Sequence, residues 1–103
     1  MEGYVTASAI TDIFYITNNT YKDKQKTTSL IKDVLKIVSI AAVSGEEIYR
    51  ALELNWNDFE DAVQYTVGER IQADYIVTRD PNGYGDSSIP VIQPVDFLTL
   101  MEQ

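Results

Sequence analysis

Residues 58–80 read DFEDAVQYTVGERIQADYIVTRD. The first part has a helical period. Phe59, Ala62, Val63, Thr66 and Val67 fall on one side of a helix over 58–72. The second part, DYIVT at 74–78, is apolar without alternation, as a strand buried inside a parallel sheet is. A helix that runs straight into such a strand is half of a βαβ unit.

The alternation continues on both sides. GYVTA, 3–7, is a short extended stretch with Tyr4 and Val5 as strand formers. Ser8 is placed to cap a helix over 9–18, where Ile10, Ile13, Phe14 and Tyr15 cluster at helical spacing. Asn18-Asn19-Thr20 closes it. A second helix, 21–37, carries a wide apolar stripe of Leu30, Ile31, Val34, Leu35 and Val38. SIAAV, 39–43, reads as another buried strand, broken by Ser44-Gly45. Glu46 and Glu47 then open a helix to Leu54, acids at the positive end of its dipole. Asn55-Trp56-Asn57 is a turn. RDPNGYGDSS, 79–88, is a loop, and IPVIQ, 89–93, a last strand. Pro94 starts a terminal helix with Phe97, Leu98 and Met101 inward. The order β-α-α-β-α-α-β-loop-β-α predicts an α/β fold, a parallel sheet flanked by helices in three layers, α/β/α. At 103 residues it is a single domain, 1–103.

Composition excludes much chemistry. With no cysteine there is no disulfide, thiolate zinc site or cysteine nucleophile, and with no histidine there is no Ser-His-Asp triad or imidazole ligand. Any catalysis within the chain rests on carboxylates, Lys, Tyr or Ser. The longest nearly uncharged run, Ile37–Gly45, is far below a membrane span, and the N-terminus lacks the basic start of a secretory signal. A cytoplasmic location without membrane contact is expected. Net charge is −8, unevenly spread. All five lysines fall in 17–38 and, against Asp23 and Asp33, give it +3; the remainder has three arginines against 14 acids, −11. One mildly basic helix on an acidic body is either a solvated face or a surface that tracks phosphates or docks a partner.

The acids of WNDFED, 56–61, have two readings. Asn57 with Glu60, or Asp58 with Asp61, forms a capping box, and first-turn acids stabilise a helix by ~0.3–1 kcal/mol each. Alternatively, Asp58 and Asp61, at i and i+3, face one way beside an apolar wall and ligate a hard divalent cation. Ligands in open α/β sheets gather beyond the carboxyl ends of the strands. The strand at 74–78 delivers Thr78, Arg79 and Asp80 there, and Asp12 lies just after the first strand. Such a carboxylate cluster suits metal-assisted phosphodiester hydrolysis. Asp80 has a second reading, an Asx turn before Pro81. Among the seven tyrosines, Tyr15, Tyr65 and Tyr75 fit apolar patterns, while Tyr84, in the glycine-rich loop, is the candidate substrate contact.

ASAITDIFYI at 7–16, residues 58–80, and SIPVIQPVDFL at 88–98 together resemble the PIN domain family, the Mg²⁺/Mn²⁺-dependent ribonuclease fold of VapC-type toxins in toxin–antitoxin pairs. The resemblance covers nearly the whole chain. It implies Mg²⁺ or Mn²⁺ as cofactor, RNA as substrate and an antitoxin protein as partner. Asp61 carries over best as a catalytic metal ligand, with Asp58 as the second, Asp80 and Asp12 as further ligands, and Thr78, Arg79 and Tyr84 toward the substrate. Two features depart from the family pattern. The family begins with a strand carrying an aspartate and a following helix, so the chain reads as incomplete at its N-terminus. An acid expected a few positions after Thr78-Arg79 falls at Gly83, with Asp80 and Asp86 flanking it. An apolar strand edge left open by the missing strand predicts a homodimer or higher oligomer. The expected function is a toxin-type ribonuclease domain impaired in this form, with a protein-interaction module on the same scaffold as the alternative.

Overall fold

The computed structural model describes the backbone of residues 2–101 and the side chains within it other than those at 97, 98, 100 and 101. The chain forms two compact units, Met1–Val43 and Ser44–Gln103.

The first unit is built as β1 (Gly3–Thr6), α1 (Ala7–Tyr21), α2 (Lys24–Val34) and β2 (Val38–Ala41). The two helices form the crossover that parallel pairing requires. β1 and β2 pair in parallel, from Gly3 opposite Val38 to Thr6 opposite Ala41. The cap of α1 is Thr6 and not Ser8, because the strand runs directly into the helix; Thr6 Oγ1 accepts from the Ala9 amide at 3.1 Å. The Asn18-Asn19-Thr20 stop is overrun by a residue. Lys22 ends α1 in the left-handed region (φ 54°), its amide donating to the Asn18 carbonyl at 2.7 Å. Asp23 then caps α2 through the Lys26 amide. Thr27, fully buried, ties α2 to α1 by donating to Asn18 Oδ1 at 3.2 Å.

Burial in this unit is thin. No residue of α1 is buried. Tyr15 and Ile16 are each 67% exposed, Ile37 is 82% exposed and Ile40 51%. The expectation that 39–43 is a buried strand therefore fails for Ile40, and Tyr15 is not a core residue; of β2 only Ala41 is buried.

The second unit holds α3 (Gly45–Leu54), α4 (Phe59–Arg70), β3 (Ile76–Val77), a 3-10 turn (Pro81–Gly83), β4 (Val91–Ile92) and α5 (Pro94–Met101). Here the core is firm. Ala51 and Ala62 are fully buried where α3 packs on α4, small side chains that let the two helices approach closely. Ser44 and Glu47 form a capping box at the start of α3. Glu47, buried, also accepts from Arg70 Nε of α4 at 2.6 Å, and its carbonyl accepts from the buried Thr66 hydroxyl at 3.2 Å. Val63, Tyr65, Val67 and Gly68 bury the rest of α4. Tyr65, Tyr84 and Ile89 form a cluster against which Leu54, Trp56, Ile76 and Val91 pack.

β3 and β4 pair in parallel, Ile76 opposite Val91 and Val77 opposite Ile92. The element order matches the expectation, and parallel strands flanked by helices make the class α/β. The strands form two short parallel ladders, one in each unit. β3 is shorter and less buried than DYIVT suggests: Val77 is 44% and Tyr75 39% exposed. The inward placement of Phe97, Leu98 and Met101 lies outside the described side chains. Among the described residues no helix is long and apolar enough to cross a membrane.

Candidate functional site

The acidic stretch becomes the start of α4. Of the two candidate caps, Asn57 and Asp58, the structure uses Asp58, whose extended backbone (φ −103°, ψ 107°) lets Oδ1 accept from the Asp61 amide at 3.0 Å. A charged acceptor makes the stronger bond to an orphan helix amide. One Asp58 oxygen is thus committed to the helix.

Asp61, half-buried, meets the turn that follows β3. That turn is organised by Asp80, whose amide donates to Thr78 Oγ1 at 3.3 Å and whose Oδ1 accepts from the Asn82 amide at 3.2 Å. Asp80 therefore makes the Asx-type turn that its place before Pro81 suggests. The turn brings Gly83 against the helix start. A Cβ on Gly83 would collide with Asp61 Oδ2 and lie 3.8 Å from Asp58 Cβ.

The next residue, Tyr84, is in the core. Its ring is 6% exposed and packs edge-on to Trp56 at 5.9 Å between centroids, so it does not present a face on an exposed loop. Its hydroxyl donates to Gln64 Oε1 at 3.2 Å. Burial pushes the Tyr84 hydroxyl up, and the charges of Asp61, Asp58 and Glu60 push it further. The carboxyl of Asp61 is likewise held above its ordinary range, first by burial, then by the charges of Asp58 and Asp80, with only the Tyr84 hydroxyl opposing. Three aspartates thus act on one another here.

Asp58 and Asp80 border an open cleft of about 540 Å³, with Trp56, Asn55, Asn57 and Asn82 among its lining. Asn55 is the left-handed C-cap of α3 (φ 55°). Trp56, the sole tryptophan, also tilts against Tyr65 at 4.9 Å between centroids. Reading Asn55-Trp56-Asn57 only as a turn missed this wall. The available signal was an aromatic residue two positions before the first of the acids and two glycines bracketing Tyr84.

The remaining candidates are placed as follows. Thr78 is partly buried with its hydroxyl engaged by Asp80, and Arg79 is exposed at the end of β3. Asp86 is exposed in the loop after the turn. Asp12 is exposed on α1 of the first unit. Among the described residues, no group of three or more acidic side chains is close enough to hold a metal ion. Asp58 and Asp61 still fit a hard divalent cation by chemistry: oxygen donors, crowded together, whose mutual repulsion a cation would relieve. A groove of about 360 Å³ along α2, lined by Lys24, Gln25, Thr28, Ser29 and Lys32, carries the basic character expected of that helix.

The PIN domain family matches the chain over residues 1–82. Ribonuclease VapC1 of Aquifex aeolicus (strain VF5) is 30% identical over 97 residues, covering 89% of this chain and 65% of that protein. The chain thus spans 65% of the length of that relative. No solved structure matches the chain.

Proposed function

The chain belongs to the PIN domain family, and on that basis we propose that it is a toxin-type ribonuclease domain whose site is centred on Asp61. The observation that supports this reading most is the crowding of Asp58 and Asp80 around a half-buried Asp61 beside an open cleft. Repulsion of this kind is tolerated where a cation or a substrate is to be held.

Asp61 and Asp58 would hold Mg²⁺ or Mn²⁺, with Asp80 adjoining. A bound cation of this type neutralises charge developing at phosphorus and acidifies a water molecule. The protein's own contribution is positional. Asp58 locks the first turn of α4, and the Gly83 backbone limits where the Asp61 carboxylate can lie. Thr78 and Arg79 stand at the strand end, where Arg79 is exposed to meet a phosphate.

Isothermal titration of Mn²⁺, with Asp61→Asn as control, tests the reading. Saturable binding lost in the variant supports it, and cleavage of a single-stranded RNA is then the assay. Heat from Mn²⁺ that is identical in the two proteins would leave the acids as a helix cap. A second reading, a protein-interaction module that docks an antitoxin or another copy of itself, is favoured by the exposed Tyr15, Ile16 and Ile37.

A further inference from the structure

Asn82-Gly83 is the one Asn-Gly pair in the chain; the asparagines at 18, 19, 55 and 57 are each followed by a residue with a side chain. The difference is chemical. The backbone nitrogen that follows an asparagine is a nucleophile within reach of the asparagine's own side-chain carbonyl carbon. A Cβ on the attacking residue hinders the approach. Glycine has none, and it lets the chain bend into the pose that attack requires.

The structure leaves this pair open to the reaction. Asn82 is exposed, and it lines the same cleft as Asp58 and Asp80. Its backbone amide donates to Asp80 Oδ1, while its side chain is in no hydrogen bond among the described residues. A residue in a 3-10 turn keeps the next nitrogen turned away from its own side chain, so the turn must open for attack. Little resists that opening. The Asn82 amide bond is 3.2 Å, and the Tyr84 amide reaches the Pro81 carbonyl at 3.3 Å, both long for N–H···O contacts. A short, lightly held surface turn belongs to the part of a protein that opens most often.

We propose that Asn82 is a self-modification site, whose hydrolysis places a third carboxylate in the cleft beside Asp58 and Asp80. The Gly83 nitrogen attacks Asn82 Cγ. The side-chain nitrogen leaves as ammonia with the proton from Gly83, and a five-membered succinimide closes. Water then opens the ring at either carbonyl. One opening gives aspartate in an unaltered main chain. The other gives isoaspartate, in which the main chain runs through the side-chain carbon and the former backbone carbonyl is the free carboxylate. Both products carry a negative charge at 82, one position before Gly83, where the sequence pattern led to an acid. A third carboxylate raises the charge offered to a hard cation, and ligand charge is what tunes such affinity. The cation half of the proposal rests on the reading of Asp58 and Asp61 above; the modification itself does not.

The test keeps the folded 103-residue chain in warm, mildly alkaline buffer for days and maps it with trypsin and mass spectrometry. The cut after Arg79 releases residues 80–103, in which Asn82 is the sole asparagine. That fragment is expected to gain the mass difference between a carboxyl and an amide and to separate into aspartyl and isoaspartyl forms. Fragments with the other four asparagines should change far more slowly, and Asn82→Ser, with no amide to lose, should abolish the change. A change at Asn82 seen only in a urea-unfolded sample, or no faster than at the other asparagines, overturns the proposal. Mn²⁺ calorimetry reads the second half. Asn82→Asp, which carries the product from the start, is expected to bind Mn²⁺ ~10-fold more tightly than the parent, the lower end of what a group beside a metal contributes. Equal, measurable affinity in the two proteins overturns the cation half. Modification of Asn82 with no Mn²⁺ binding by either protein removes the nuclease reading and leaves the modification site standing.

Discussion

Gly83 and Asp61 compete for one small volume: the backbone of the first lies where only a residue without a side chain leaves room for the carboxylate of the second. Gly83→Ala must therefore turn the Asp61 side chain aside. A short side chain with two torsions can do so at modest cost, so the fold should lose no more than about 1 kcal/mol. The site should lose more, because a misplaced group near the chemistry costs ~100-fold. Thermal melting and Mn²⁺ calorimetry on the same variant check both halves; a large loss of stability with unchanged Mn²⁺ binding would contradict this account.

Asp61→Asn should raise the melting temperature at pH 7. The folded state holds the Asp61 carboxyl above its ordinary range, through burial and the charges of Asp58 and Asp80. A raised carboxyl favours the protonated form, so its contribution to stability is fully present below the unfolded pKa of about 3.9 and is lost as pH rises through the folded value. Asparagine removes that loss. The same change should weaken Mn²⁺ by at least the ~10–100-fold that follows loss of an outer-shell partner. A variant less stable than the parent at pH 7 would refute the electrostatic assignment.

Glu47 works in the opposite direction. Its carboxylate is held below the usual range, first by the Ser44 hydroxyl and then by Arg70, against the opposing effect of burial. A lowered carboxyl stabilises above the unfolded pKa of about 4.3, and that stability is lost as pH falls through the lower folded value. Glu47→Gln should cost about 1–3 kcal/mol at neutral pH, read from the urea midpoint. It should also flatten the acid limb of the stability profile. An unchanged acid limb would mean that another carboxylate governs it.

Gly68 is buried in α4, and a Cβ there would lie 3.2 Å from Ile89 Cδ1, the tip of a flexible side chain. Alanine gains up to about 1 kcal/mol of helix propensity, and the Ile89 tip can give by a few tenths of an ångström. Gly68→Ala should be neutral to mildly stabilising, by up to about 1 kcal/mol. A clear destabilisation would show that the packing of α4 on Ile89 and Ile76 is less forgiving than this.

The exposed apolar side chains of the first unit, with Ile37 at 82% and Ile16 at 67%, should drive self-association. Sedimentation at micromolar concentration is expected to give a dimer or larger species, and Ile16→Lys with Ile37→Lys to reduce it. A well-behaved monomer would count against the homodimer.

The order of elements was legible because hydrophobic period changes sharply along the chain, from the helical stripe of 58–72 to the continuous run of 74–78. Ends were less legible. Thr6 and Ser8 are equally good caps in isolation, and the choice between them depends on where β1 ends. The depth of the strands was misread at Ile40 and Val77: composition records that a residue is apolar, not whether a neighbouring element covers it. In the site, Asp58 and Asp61 were identifiable because i and i+3 is a local relationship. Trp56, Tyr65 and Tyr84 converge across 9 and 19 positions of chain, and no local period reports such a meeting. Tyr84, in the glycine-rich loop, was the candidate substrate contact, and the structure buries its ring. The structure uses those glycines to let the loop backbone close over Trp56 and Asp61.

The bond from the Asp61 amide to Asp58 makes the beginning of α4 and the acidic group one mechanical object. Fraying of that first turn would separate the two carboxylates, and anything that draws them together would resist fraying. The exchange rate of a single backbone proton, on the Asp61 nitrogen, therefore reports how well the acids are assembled at any moment, before any ion, nucleotide or partner is added.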